Sequence, residues 1–374
     1  MSPTKPIITP AFTKSLPKVE LHAHLTGSIS RQCLHEIWER KKAENPAFDV
    51  QDPWEVMPPG KVDYSLATFF NVFSNSIYNL CSDLPSIAYA TTSVLEDFYA
   101  DGIRYLELRT IPRPSPSFSR EEYLLTVLDA IDAYAHTQAA LDPDTHKMTT
   151  RLILAIDRGQ MSPADANEVI DLAIAHRHRG VVGIDICGNP TKGDVSVFAG
   201  AMERAKSAGL ALTVHFGEVS SSTLASSSAK TAAEAEKALE SELREMLSWN
   251  PRRLGHVIHV PVGIKNEIKK RGLGLELCLS CNVHASMFDG GFADHHFGEW
   301  WRESDCVAVL CTDDVGFFCS PMSNEYLLAA EHFNLSRVDI LRLCRKSYDV
   351  IFDDETEKER LRQLLDDFES SYAK

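Results

Sequence analysis

Short, almost continuously apolar runs alternate with stretches of helical spacing along most of the chain. The first run is Val19 to His24. The others are Ile103–Leu108, Arg151–Ile156, Val181–Ile186, Leu210–His215, Arg253–His256, Leu273–Leu279 and Val307–Cys311. Such runs predict parallel strands covered on both faces, which have no need to alternate apolar with polar residues. Between them the spacing predicts helices over 120–141, 162–177, 197–208, 231–249 and 264–271. Extra helices are expected after the first strand, over 32–42 with Ser30 as N-cap, 66–80 and 84–99, and again over 323–372. Eight strand-and-helix units predict a (β/α)₈ TIM barrel in a single domain spanning residues 1–374, with a doubly wound open sheet as the alternative. Residues 1–14 are expected to form a loose tail, and the serine-rich stretch 220–228 a mobile loop.

Polar and ionisable residues gather where these strands end, the end that carries the active site in such barrels. His22 and His24 close the first run two residues apart, so on a strand both point to one side. Arg113 follows the second, Asp157 the third, Asp185 and Gly188 the fourth, and His215 and Glu218 the fifth. His256 closes the sixth, and Asp313 and Asp314 follow the eighth. Each alone reads as a packed histidine, a turn or a helix cap. Their recurrence at so many strand ends points to a metal site.

Three imidazoles, His22, His24 and His215, with Asp313 as the carboxylate, suit Zn²⁺, one ion per chain. A catalytic zinc keeps one position open and yields hydroxide near neutral pH. Glu218, three residues beyond His215, is a candidate general acid or base. His256 is placed to take or hold a proton of the attacking water, and Asp314 to orient it. This set describes a hydrolase or deaminase, not a redox enzyme.

Composition narrows the picture. A formal net charge of -15 disfavours nucleic acid and anionic membranes as partners, and a nucleic-acid deaminase with them. No apolar run is long enough to span a bilayer, no N-terminal secretory pattern is evident, and the nine cysteines are scattered, so a reducing, cytosolic location is expected. No glycine-rich nucleotide loop follows a strand. A small-molecule substrate and a monomer are expected.

The segments Leu16 to His24, Gly183 to Gly188, His215 to Glu218, Leu254 to His256, Leu275 to Cys278 and Cys311 to Asp314 run in the order of the adenosine/AMP deaminase family of metal-dependent hydrolases, which the chain resembles from Leu16 to about Tyr326. The resemblance implies zinc on His22, His24, His215 and Asp313, with His24, His215 and Asp314 also meeting the substrate. It implies Glu218 as proton donor to purine N1, His256 and Asp314 acting on the attacking hydroxide at C6, and the Gly188 backbone N–H meeting purine N3.

Adenosine deaminases proper carry Asp where this chain has Thr26, and an aspartate there would repel a 5′-phosphate. The run Leu106 to Arg113 is similar to the phosphate-binding segment of the adenosine deaminase-like subgroup, with Arg113 as a planar fork and Thr110 as hydroxyl donor. That subgroup more often has Asn at Thr26 and a His near Tyr78. Tyr78 and Asp157 are expected as further contacts. The reaction so implied is hydrolysis of N6-methyl-AMP to IMP and methylamine. The alternatives are deamination of free adenosine, and a catalytically silent barrel that holds zinc for stability.

Overall fold

A computed structural model describes residues 8–141, 147–228 and 231–372. Eight strands lie in the order in which the chain makes them: β1 Lys18–His24, β2 Ile103–Thr110, β3 Thr149–Asp157, β4 Val181–Cys187, β5 Ala211–Phe216, β6 Arg253–His256, β7 Gly274–Leu277 and β8 Val307–Leu310. All seven neighbouring pairs are parallel. The ring is closed by Asp313, whose N–H donates to the His22 carbonyl at 2.7 Å and whose carbonyl accepts from the His24 N–H at 3.0 Å. The TIM barrel expected from the apolar runs is the fold of this chain, with the strands buried on both faces as parallel strands require.

Sequence logic accounts for most helix starts. Ser30, Asp83, Ser162, Thr231 and Ser336 each accept a backbone N–H of the following first turn. Three departures stand out. Of the tail expected to be loose, residues 1–7 lie outside the described residues, whereas Pro10–Ser15 is a helix capped by Thr9. Its Phe12 is buried against Phe368 and Tyr372 of the last helix, with ring centres 5.5 and 5.3 Å away. The stretch expected to be a mobile loop contains a helix, Ser221–Ser228, because the Ser220 hydroxyl caps its first turn and Leu224 packs on the core. The single helix expected over 66–80 is broken into Leu66–Val72, a π-turn Phe73–Ile77 and Tyr78–Leu80. Helices widened in this way recur at functional sites, and this one lines the cavity at the mouth of the barrel.

Candidate active site

A cavity of 470 Å³ opens at the C-terminal ends of the strands. It is lined by His24, Thr26, Tyr78, Thr110, Arg113, Asp157, Gly188, His215, Glu218, Asp313 and Asp314. His22 and His256, the other two residues expected at the site, are fully buried beneath it.

The strand period delivers the imidazoles. His22 and His24 leave β1 on the same side, His215 comes from β5 and His256 from β6. Ring nitrogens of His22, His215 and His256 and a carboxylate oxygen of Asp313 lie within 4.8 Å of one another. His24 joins them, its Nε2 3.1 Å from Nε2 of His215 and 3.3 Å from Asp313 Oδ1. Asp313 and His256 both have left-handed backbone, with φ of +62° and +63°, a conformation that costs about 1–3 kcal/mol per residue and persists where the surroundings impose it. For Asp313 those surroundings include the two hydrogen bonds that close the barrel.

Below the imidazoles lies a buried network of charge that aims them. His22 Nδ1 is 2.7 Å from Glu276 Oε2, and His215 Nδ1 is 3.2 Å from Asp185. Arg109 ties the two carboxylates together, donating to Glu276 at 2.8 Å and to Asp185 at 3.1 Å. Arg253 and Thr213 donate to the other oxygen of Glu276 at 2.6 and 2.8 Å. Carboxylates on Nδ1 leave the Nε2 lone pairs of His22 and His215 facing the centre. The His22 Nε2 atom is buried with no hydrogen-bond partner among the described residues and lies 3.4 Å from Asp313 Oδ1, which fits two ligands converging on one cation. Burial is the main force on the His24 ring and holds it neutral, the state in which an imidazole binds metal.

The acids differ among themselves. Burial pushes Asp313 up, but His22, His256 and His24 outweigh it and hold this carboxylate well below its usual range. Burial, then the Asp313 charge, raises Glu218 to about 8, and its Oε2 has no hydrogen-bond partner among the described residues. Burial beside Asp313 and Glu218 raises Asp314 well above a normal carboxyl. One anionic carboxylate therefore acts on two nearby groups poised to carry protons.

The far wall of the cavity is built differently. The Arg113 guanidinium lies 3.5 Å from the ring centre of Tyr78, and no carboxylate pairs with it among the described residues. Asp157 Oδ1 accepts the backbone N–H groups of Gly159 and Gln160 at 2.9 and 3.1 Å. The Thr110 hydroxyl is 2.7 Å from the Tyr123 hydroxyl. Gly188 has φ +94°, and a side chain there would strike Asp157 Oδ1. All thirteen residues expected at the site are thus brought to one place. Arg109 and Glu276 were not anticipated, although a charge inside an apolar strand such as Gly274–Leu277 is itself a signal, since burying one is costly without partners.

A parallel barrel with imidazoles and a carboxylate gathered at its C-terminal rim, beside proton-carrying acids, defines a hydrolase of the metal-dependent kind. Residues 17–368 match the family model described as Adenosine deaminase. The N6-mAMP deaminase of Arabidopsis thaliana is 32% identical over 371 residues, covering 95% of this chain and 98% of its own. The human N6-methyl-AMP deaminase is 31% identical, covering 94% and 93%. The solved structure of the Arabidopsis N6-mAMP deaminase superposes with a TM-score of 0.82 at 31% identity, covering 96% of this chain and 99% of its own. An Arabidopsis structure complexed with GMP superposes with a TM-score of 0.83, at 31% identity and with 96% and 98% covered. The chain belongs to the adenosine deaminase family and is a hydrolytic deaminase acting on C–N bonds. No helix among the described residues is long and apolar enough to cross a membrane.

Proposed function

We propose that the chain hydrolyses N6-methyl-AMP to IMP and methylamine, with one Zn²⁺ held by His22, His24, His215 and Asp313. When bound, the cation lowers the pKa of water at its open position so that hydroxide is available near neutral pH. The protein does the rest. Glu218, held protonated by burial, delivers a proton to purine N1 as oxygen adds to C6. Asp314, raised by burial and neighbouring negative charge and ionised once a cation offsets them, accepts a proton of the attacking water, and His256 steadies that oxygen. The C6–N6 bond then breaks as Asp314 passes its proton to N6 and the hydroxyl proton returns to Glu218, so that methylamine leaves and C6 keeps the oxygen as a carbonyl. The Gly188 N–H meets purine N3, and Asp157, Tyr78 and Thr110 line the rest of the nucleotide's path.

One observation carries the choice of a nucleotide over a nucleoside. Arg113 lies over the Tyr78 ring with no hydrogen bond or ion pair to its fork among the described residues, and position 26, in the same cavity wall, is a neutral Thr. A planar guanidinium matches two phosphate oxygens. The names of the relatives, and the IMP and GMP in Arabidopsis structures, support this reading.

The test is kcat/KM of the zinc-loaded protein on N6-methyl-AMP, AMP and adenosine side by side. A preference for N6-methyl-AMP is expected. Turnover of adenosine alone would keep the hydrolytic site and refute the phosphate pocket.

A further inference from the structure

Four imidazoles face the centre, and the tautomer of each decides what it can do there. For His22 and His215 a carboxylate on Nδ1 leaves the lone pair on Nε2. His256 is wired in the opposite sense. Its Nδ1 is 3.0 Å from the Asn282 side-chain amide nitrogen, and its Nε2, 3.8 Å from Asp313 Oδ2, is buried with no hydrogen-bond partner among the described residues. The Asn282 carboxamide oxygen is 3.0 Å from His295 Nε2. His295 Nδ1 in turn faces the backbone N–H of Phe297 at 3.0 Å. Asn282 is fully buried and His295 nearly so.

The direction of this chain is forced from its outer end. A backbone N–H only donates, so His295 Nδ1 is an acceptor and the His295 proton is on Nε2. Burial favours the neutral ring. That Nε2–H requires an oxygen opposite it, which turns the Asn282 NH₂ toward His256. The Met287 sulfur, 3.2 Å from the same nitrogen, suits a donor. His256 Nδ1 then accepts, and its proton sits on Nε2. The His296 ring adds a second restraint by donating from Nε2 to the His256 carbonyl at 2.5 Å, holding the left-handed backbone.

We propose that Asn282 and His295 are positioning residues that fix the His256 proton on Nε2, so that His256 presents an N–H to the attacking oxygen and is neither a metal ligand nor the base. This rests on the proposed role of His256 beside that oxygen. It narrows the ligands to His22, His24, His215 and Asp313, and leaves Asp314 to take the proton of the water. The inversion relative to His22 and His215 comes entirely from what touches Nδ1: a carboxylate in two cases, a carboxamide NH₂ in the third.

The test is nitrogen NMR of the metal-free protein with labelled histidine, alongside steady-state kinetics of the zinc-loaded protein. Wild type is expected to show His256 protonated at Nε2. Asn282→Asp puts an acceptor on Nδ1, so the proton should move there, with kcat falling about 100-fold or more and KM within about threefold, as for other tautomer-inverting changes. His295→Gln keeps a donor for the Asn282 oxygen and should leave the proton on Nε2. A wild-type ring protonated at Nδ1 would overturn the proposal. So would an Asn282→Asp protein that loses kcat with the proton still on Nε2, or that keeps its kcat. A proton that moves in His295→Gln would overturn the part given to His295. Should Asn282→Asp fail to fold, the wild-type and His295→Gln spectra still decide. The spectra need no substrate, so a protein inactive on all three purines would refute the substrate reading and leave the tautomer measured.

Discussion

Asp314 packs against the bare Cα of Gly27, so closely that a methyl group added there would lie 1.5 Å from its Oδ1. Gly27 belongs to the short helix Leu25–Ser28, which leaves the end of β1 directly after His24. One glycine therefore lets the carboxyl from the β8 end reach the centre. Gly27→Ala should displace Asp314 and lower kcat about 100-fold or more, a typical contribution for a proton-transfer group. Kinetics paired with thermal unfolding check this. A folded variant with kcat within about tenfold of wild type would refute the need for Asp314 in that position.

Glu218 is raised by burial and accepts no cap or turn hydrogen bond through Oε2. Glu218→Gln keeps the shape and removes the acid. The expected loss in kcat is about 10²–10⁴-fold. Zinc content by elemental analysis should not change, since Glu218 is not among the proposed ligands.

Arg113 gives a discriminating test of substrate class. Charge-assisted hydrogen bonds contribute about 1.5–3 kcal/mol, so Arg113→Ala should lower kcat/KM on nucleotides about 10- to 100-fold. Activity on adenosine should be unaffected. Thr26→Asp should act in the same direction by repelling the phosphate. Equal losses on nucleotide and nucleoside would show that Arg113 merely supports the wall through Tyr78.

Glu325 tests the electrostatics of the core away from the reaction centre. It is fully buried, accepts from the Ser280 N–H at 3.2 Å and from the Ser320 hydroxyl at 2.5 Å, and feels the charge of Glu20. Burial raises its carboxyl to about 7 from an ordinary value of 4.5. Between these values the folded state holds a proton that the unfolded state has released, so stability falls as pH rises through that window. Glu325→Gln lacks the ionisation. Its unfolding free energy relative to wild type should therefore improve from about pH 5 to about pH 8, by on the order of 3 kcal/mol. Urea unfolding at the two pH values measures the difference, and a pH-independent difference would refute the raised carboxyl.

The amino-acid sequence by itself determined the barrel and the ring of functional side chains. Parallel strands are buried on both faces and so print unbroken apolar runs, and the residues just beyond each run stand at the active end. That logic places His22, His24, His215, His256, Asp313 and Asp314 together from their order along the chain alone. Local rules also mark the helix starts at Ser30 and Ser162.

Tertiary structure alone decided what each of these groups can do. Glu276 aims His22 from 254 residues away, and Arg109 joins it to Asp185 across the floor of the barrel. The same packing drew Phe12 against the last helix and the serine-rich stretch into a helix, where composition had suggested a loose tail and a mobile loop. Pattern reports which face of an element is buried. It does not report which distant side chain will meet a ring nitrogen, and that contact sets the tautomer, the charge and so the chemistry of the ring.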